Sequence, residues 1–245
     1  MFKKPVCLIS NDDGVNSVGI RLLAETVSEF STVYIVAPDR ERSASSQALT
    51  ISRDLSHKKL SSQPYSNNIY SLDGTPVDCV RYAISHLLPQ KPSLVITGIN
   101  RGGNMGTDIF YSGTVGAAME GARYGCSALA VSCHGPKIEK QDFQTSAQVI
   151  KKIIEKKDAL LFVGRVLNIN IPAIPYNEIK GIKKCQTANW SLYSSCHNDI
   201  KKPTKLEGPI DCQEISEGFV TASALKSDVF DSHMSTSIES SLPIL

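Results

Sequence analysis

Short apolar runs alternate with segments of helical period through the first 160 residues of the chain. Val6–Ser10 (VCLIS) reads as a buried strand that runs into the polar cluster Asn11-Asp12-Asp13-Gly14. Over residues 19–30, Ile20, Leu23, Ala24 and Val27 recur at the spacing of one helix face. Residues 32–37 (TVYIVA) are rich in β-branched side chains and stop at Pro38, which predicts a second strand. A helix is expected over 75–88, with Thr75 as N-cap and Pro76 at its first position. Residues 93–97 (SLVIT) and 128–132 (ALAVS) are further strands. Between them lies a helix rich in Gly and Ala over 113–124, and an amphipathic helix follows from about 142 to 157. This rhythm predicts an α/β fold with a mainly parallel sheet and helices on both faces. In such a sheet ligands sit beyond the carboxyl ends of the strands.

The rhythm breaks twice. Over 46–74, SQALTISRDL and NNIYSLDG alternate polar and apolar residues without a helical period, which predicts a β-hairpin excursion. After Pro172 only short strands in EIKGIKKC and EGFVTASAL stand out, and the Ser-rich tail 235–245 ends in Leu-Pro-Ile-Leu. The 245 residues therefore read as one domain: a core over 1–172 and an irregular extension over 173–245. A globule of this length buries about 70–75% of its unfolded surface.

Composition narrows the function classes. Twenty-six Lys and Arg against 24 Asp and Glu leave a net charge of +2, which excludes a strongly basic nucleic-acid binder. Lys151, Lys152, Glu155 and Lys156 read as a solvated helix face rather than an RNA patch. The seven cysteines form no Cys-x-x-Cys pair and the five histidines are scattered, so reduced, packed thiols are expected and zinc is not. The N-terminal apolar stretch is too short for a signal-peptide core, and no run approaches the ~20 apolar residues of a membrane span. A cytoplasmic protein is expected.

Three polar loops follow three of the expected strands. Asp12 and Asp13 are adjacent carboxylates that repel each other unless a cation lies between them, although Asp13-Gly14 also suits a plain turn. Residues 37–46 (APDRERSASS) form a charged loop after the second strand. Residues 98–106 (GINRGGNMG) lead through Tyr111 to Ser112-Gly113-Thr114 at a helix start, where free N–H groups and two hydroxyls suit phosphate, or an N-cap alone. A parallel sheet gathers these loops at one edge. Their oxygen-rich donors suit Mg²⁺, Mn²⁺ or Ca²⁺ and point to phosphate-ester hydrolysis. No Gly-Lys pair, His-Glu-x-x-His or Gly-x-Ser-x-Gly is present, which removes the Walker A, zincin and serine-hydrolase elbow readings.

NDDG at 11–14 with Gly19-Ile20, APDRERSAS at 37–45, GTPVDCV at 74–80 and GINRGGNMGTDIFYSGTVGAAMEGA at 98–122 resemble the stationary-phase survival protein SurE family. The likeness is dense from about residue 6 to 133 and continues through NINIP at 168–172. It implies a Rossmann-like fold with a β-hairpin extension and a C-terminal arm used in oligomerisation, here a homodimer or tetramer. It also implies a metal-dependent nucleotidase that removes phosphate from nucleoside 5′-monophosphates, with 3′-monophosphates as a further substrate class. Carried over by position, the metal ligands fall on Asp12, Asp13, Ser43 and Asn100. The expected cofactor is one divalent cation per subunit, Mg²⁺ or Mn²⁺. Asn104, Ser112, Gly113 and Thr114 correspond to the phosphate-contacting region, and Asp12 is the candidate base or nucleophile. The last third departs from the family pattern, with Ser223-Ala224-Leu225 where Thr-Pro-Leu is usual. An inactive nucleotide-binding regulator is the alternative, and the intact Asp12, Asp13, Ser43 and Asn100 argue against it.

Overall fold

The structure is a computed structural model that describes residues 4–156, 163–189 and 207–227. Seven of its nine strands, all but two, come from the apolar runs and short segments expected from the sequence, and one sheet holds them all. The strands are β1 (Val6–Ser10), β2 (Thr32–Pro38), β3 (His57–Lys59), β4 (Ile69–Leu72), β5 (Leu94–Arg101), β6 (Ser127–His134), β7 (Arg165–Pro172), β8 (Ile182–Lys184) and β9 (Val220–Lys226). Their order is β3-β4-β2-β1-β5-β6-β7-β9-β8. From β4 to β7 all neighbours run parallel, while β3 and β9 pair antiparallel with β4 and β7.

Alternation along each strand sorts its side chains between two helical layers. Cys7, Ile9, Val33, Ile35, Ile96, Leu129, Val131 and Ile169 face helices α1 (Val18–Ser28) and α4 (Lys140–Glu155). Leu8, Val36 and Val95 face α2 (Pro76–Tyr82) and α3 (Gly113–Arg123), and Ala128, Ala130 and Val166 lie against α3 as well. The start of α2 is as expected. Thr75 accepts from the Asp78 N–H, and the Asp78 side chain reaches back to the Thr75 N–H, so the cap closes reciprocally.

Three expectations are adjusted. The hairpin over 46–74 forms only as β3 and β4, and β4 also pairs parallel with β2, so it extends the main sheet instead of leaving it. The alternating stretch 46–55 carries no strand, and the Thr50 N–H bonds the Asp78 carboxylate at 3.1 Å instead of a neighbouring strand. The strand expected over 93–97 runs on to Arg101. After a register shift Asn100 and Arg101 pair with Ser132 and Cys133, so Asn100 sits on a strand rather than in a loop. A short helix, α5 (Asp211–Ser216), was not expected. The tail 235–245, to which an oligomerisation arm was assigned, lies outside the described residues.

Two further expectations, about the cysteines and the Lys-rich helix face, agree with the described residues. Six cysteines are free, and five of them are buried. Lys151 lies 2.6 Å from Glu29 and Lys152 lies 3.0 Å from Glu155, as a solvated helix face requires. No helix there is long and apolar enough to cross a membrane.

Candidate metal and phosphate site

The chain leaves β1 outward through β2 to β4, then crosses back to β5 and continues outward to β7. Strand order therefore reverses between β1 and β5, and the rule for open α/β sheets places a ligand site beyond their carboxyl ends. The loop after β1 lines it. Asn11 is fully buried and its Nδ2 donates to the Gly14 carbonyl at 3.0 Å and to Ser17 Oγ at 2.8 Å. Ser17 in turn caps α1. These bonds fix the turn that presents Asp12 and Asp13.

Asp12 is only 6% exposed. Thr114 Oγ1, in the first turn of α3, donates to Asp12 Oδ1 at 2.5 Å. The Arg42 N–H donates to the Asp12 carbonyl at 2.7 Å, tying in the loop after β2. Burial pushes the Asp12 carboxyl above the usual carboxylate range, and the Thr114 hydroxyl opposes that shift. Asp13 is half-buried and accepts the Arg101 N–H at 3.2 Å. Burial, reinforced by the Asp12 charge, raises its pKa to about 6. Two adjacent carboxylates whose charges are both disfavoured by burial favour a positive charge beside them.

The loop after β2 closes over α3. The Ser46 N–H and Oγ donate to the carbonyls of Tyr111 and Phe110 at 3.0 and 2.6 Å. Ala44 and Ser46 both adopt φ of +53°, a conformation that costs about 1 kcal/mol or more for a residue with a Cβ. Glycines permit the approach. A Cβ on Gly113 would lie 2.5 Å from Ser45 Oγ, and one on Gly116 would lie 2.6 Å from the Ser46 carbonyl oxygen. Ser43 is exposed, with its hydroxyl donating to Glu41 at 2.6 Å. Asn100 Nδ2 donates to the Gly102 carbonyl at 2.8 Å, which leaves its Oδ1 as an acceptor.

The phosphate-region residues divide into two kinds. Ser112 caps α3, its Oγ accepting the Val115 N–H at 3.0 Å, and Gly113 follows at the first helical position. Thr114 is fully buried and its one hydroxyl proton goes to Asp12. In this arrangement Thr114 orients the carboxylate instead of offering a donor to a ligand. Asn104 is buried, and its Nδ2 donates to Ser132 Oγ at 2.7 Å. A ligand contact from Asn104 would use the second hydrogen of that amide.

Sequence reasoning missed several residues here. Among the described residues six buried side-chain atoms lack a hydrogen-bond partner; Ser10 Oγ, Asn11 Oδ1, Arg42 Nε and Ser45 Oγ lie in or beside the first two loops, and Asn168 Oδ1 and Thr221 Oγ1 lie on β7 and β9. Buried polar atoms are normally paired, so such a concentration marks a place built for something else to bind. Nothing in the local pattern separates these serines from ordinary turn residues. No group of three His, Cys, Asp or Glu gathers among the described residues, so any cation here would be held by two carboxylates and neutral oxygens.

Ser112→Ala is expected to cost about 1 kcal/mol through the lost cap, and to weaken phosphate binding more than metal binding. Thr114→Val, nearly the same shape, should remove about 1.5–3 kcal/mol of hydrogen bonding to a charged group and impair the metal end of the site instead. Calorimetric titration of each variant with Mn²⁺ and with phosphate separates the two. Equal losses for both ligands in both variants would show that Ser112 and Thr114 do not serve different ligands.

Fold and site together define a doubly wound α/β protein with acidic, oxygen-rich loops against a helix N-terminus at the sheet's switch point. The family model described as Survival protein SurE matches residues 7–194, and the chain belongs to that family. The chain is 42% identical over 216 residues to the 5′-nucleotidase SurE of Clostridium botulinum (strain ATCC 19397 / Type A), covering 86% of this chain and 85% of that protein. It is 38% identical over 250 residues to the 5′-nucleotidase SurE of Histophilus somni (strain 2336), covering 95% and 96% of the two. The crystal structure of SurE protein from Aquifex aeolicus superposes with a TM-score of 0.81 at 33% identity, over 96% of this chain and 99% of that one.

Proposed function

We propose that the chain is a metal-dependent nucleotidase that hydrolyses nucleoside 5′-monophosphates to nucleoside and phosphate. The observation that carries the reading is the 2.5 Å bond from Thr114 to Asp12. It holds a carboxylate against the helix end best suited to an anion, where a phosphate would meet like charge unless a cation lay between them. Asp12, Asp13, Ser43 and Asn100 are the residues that would hold that cation. Two carboxylates, a hydroxyl and an amide oxygen fit Mg²⁺ or Mn²⁺, and the unpartnered Ser10, Asn11 and Ser45 oxygens add to the fit. When bound, the cation supplies a Lewis acid beside the phosphate and a water of lowered pKa.

The protein's own groups do the positioning. The N–H groups at Ser112 and Gly113 hold phosphate oxygens as negative charge shifts toward the leaving group. Thr114 keeps the Asp12 carboxylate from rotating, and Asp12 can then take a proton through its other oxygen. The same reading takes the protein as a cytoplasmic homodimer or tetramer.

The test is phosphate release from AMP, GMP, CMP and UMP, as 5′- and 3′-monophosphates, with Mg²⁺, Mn²⁺ or Ca²⁺ and an EDTA control. Turnover that needs the metal and vanishes with EDTA is expected. Tight AMP binding without turnover in every metal would instead identify a nucleotide-binding protein without catalysis.

A further inference from the structure

The stretch 102–105, which leads toward the phosphate cradle, has no regular structure, yet buried side chains from far along the chain hold its backbone. Asn170 Oδ1 accepts the Asn104 N–H at 2.7 Å, and Asn170 Nδ2 donates back to the Asn104 carbonyl at 3.0 Å. Asn168 Nδ2 donates to the same carbonyl at 2.8 Å. Two residues on, the Gly106 N–H donates to Asp211 Oδ2 at 3.0 Å. Asp211 Oδ1 accepts the N–H groups of Ala188 and Cys212 at 2.9 and 2.8 Å. Asn168 and Asp211 are fully buried, and Asn170 is 1% exposed.

Polar groups at such depth cost free energy unless they are bonded, and apolar residues would pack β7 as well. Every side-chain hydrogen bond that Asn168 and Asn170 make among the described residues ends on the backbone of Asn104. What they specify is therefore the path of that backbone. From Gly106 the chain makes one 3₁₀ turn (Gly106–Phe110), is docked by Ser46 through the Phe110 and Tyr111 carbonyls, and reaches Ser112.

We propose that Asn168, Asn170 and Asp211 are positioning residues that set the turn at 104–106 and, through it, the anion cradle at Ser112 and Gly113. They touch no substrate. Asp211 also makes the cradle depend on the C-terminal part of the chain, since one carboxylate joins Gly106 to Ala188 and α5. This rests on the phosphate-site reading above.

Asp211→Asn and Asn170→Ser are tested in the full chain with Mn²⁺ at 25 °C. The readouts are AMP kinetics, affinity for inorganic phosphate and Mn²⁺ by calorimetry, and hydrogen exchange at the Gly106 amide. Loss of a supporting partner is expected to raise KM and the phosphate Kd about tenfold. In the same variants kcat should change less than about threefold and Mn²⁺ affinity should hold, because Asp12 and Asp13 hang from β1. The Gly106 amide should lose protection in Asp211→Asn. Folded variants with KM and phosphate Kd within about twofold of wild type would overturn the proposal even if their Tm fell, because only a general structural role would remain. Failure of both variants to fold would overturn it equally. A wild-type protein that binds phosphate but hydrolyses no nucleotide would sink the nucleotidase reading alone, and the phosphate affinities would still decide the positioning role.

Discussion

Asp13→Asn is expected to abolish metal-dependent turnover while making the metal-free protein more stable at neutral pH. The activity loss should exceed the ~10–100-fold that removal of an outer partner of a metal ligand costs. The stability gain follows from the raised Asp13 pKa, which burial and then the Asp12 charge push to about 6. Between the unfolded value near 3.8 and the folded value near 6 the folded protein binds the extra proton. Stability of the metal-free protein therefore falls as pH rises through this window, and the full penalty is present above it. Asparagine carries no charge and no such slope. The expected gain above pH 7 is at most about 2 kcal/mol, discounted for the partial exposure of Asp13. Thermal melts from pH 4 to 8 in EDTA, run beside activity assays in Mn²⁺, check both halves. Full activity in the variant would remove Asp13 from the site. A lower Tm at pH 7 would show that the carboxylate serves the fold. Asp12→Asn should lose turnover similarly.

Gly19→Ala should lower the melting temperature by about 5–10 °C, an unusually large effect for one added methyl group. In an ordinary exposed helix the change would stabilise by up to about 1 kcal/mol. Here the new Cβ would lie 2.1 Å from the Ile99 carbonyl oxygen and 3.2 Å from the Phe143 ring. The ring can yield, but a strand carbonyl cannot move without moving its strand. Overpacking of this kind costs about 1–3 kcal/mol or more, and each kcal/mol is worth about 2–4 °C in a protein of this size. The strand that must give is β5, one residue before Asn100, so AMP turnover should fall as well. An unchanged Tm would mean that α1 can slide on the sheet and that its packing at Gly19 is looser than the geometry indicates.

Local chemistry in the sequence was enough to predict most strands and helices of the core and to single out the loops of the candidate site. VCLIS and TVYIVA read as buried strands because they are short, rich in β-branched residues and end at polar or Pro residues. Thr75-Pro76 marked a helix start, because a cap is satisfied within three residues. Asn11-Asp12-Asp13-Gly14 directly after an apolar strand, and Ser112-Gly113-Thr114 opening a Gly/Ala helix, identified two loops at one sheet edge. Those signals span a few residues each and needed no knowledge of distant partners. The tertiary structure alone decided which group meets which. Thr114, read as a phosphate donor, gives its proton to Asp12, 102 positions away. Asn104, read the same way, has its backbone held by Asn168 and Asn170 and, two residues on, its turn held by Asp211. The stretch over 46–74 reads as an excursion because alternation reports that a strand has two faces, not which strand it pairs with. Periodicity records the environment of a side chain, buried or wet, whereas a hydrogen-bond partner is set by the crossing of segments that only the assembled sheet brings together.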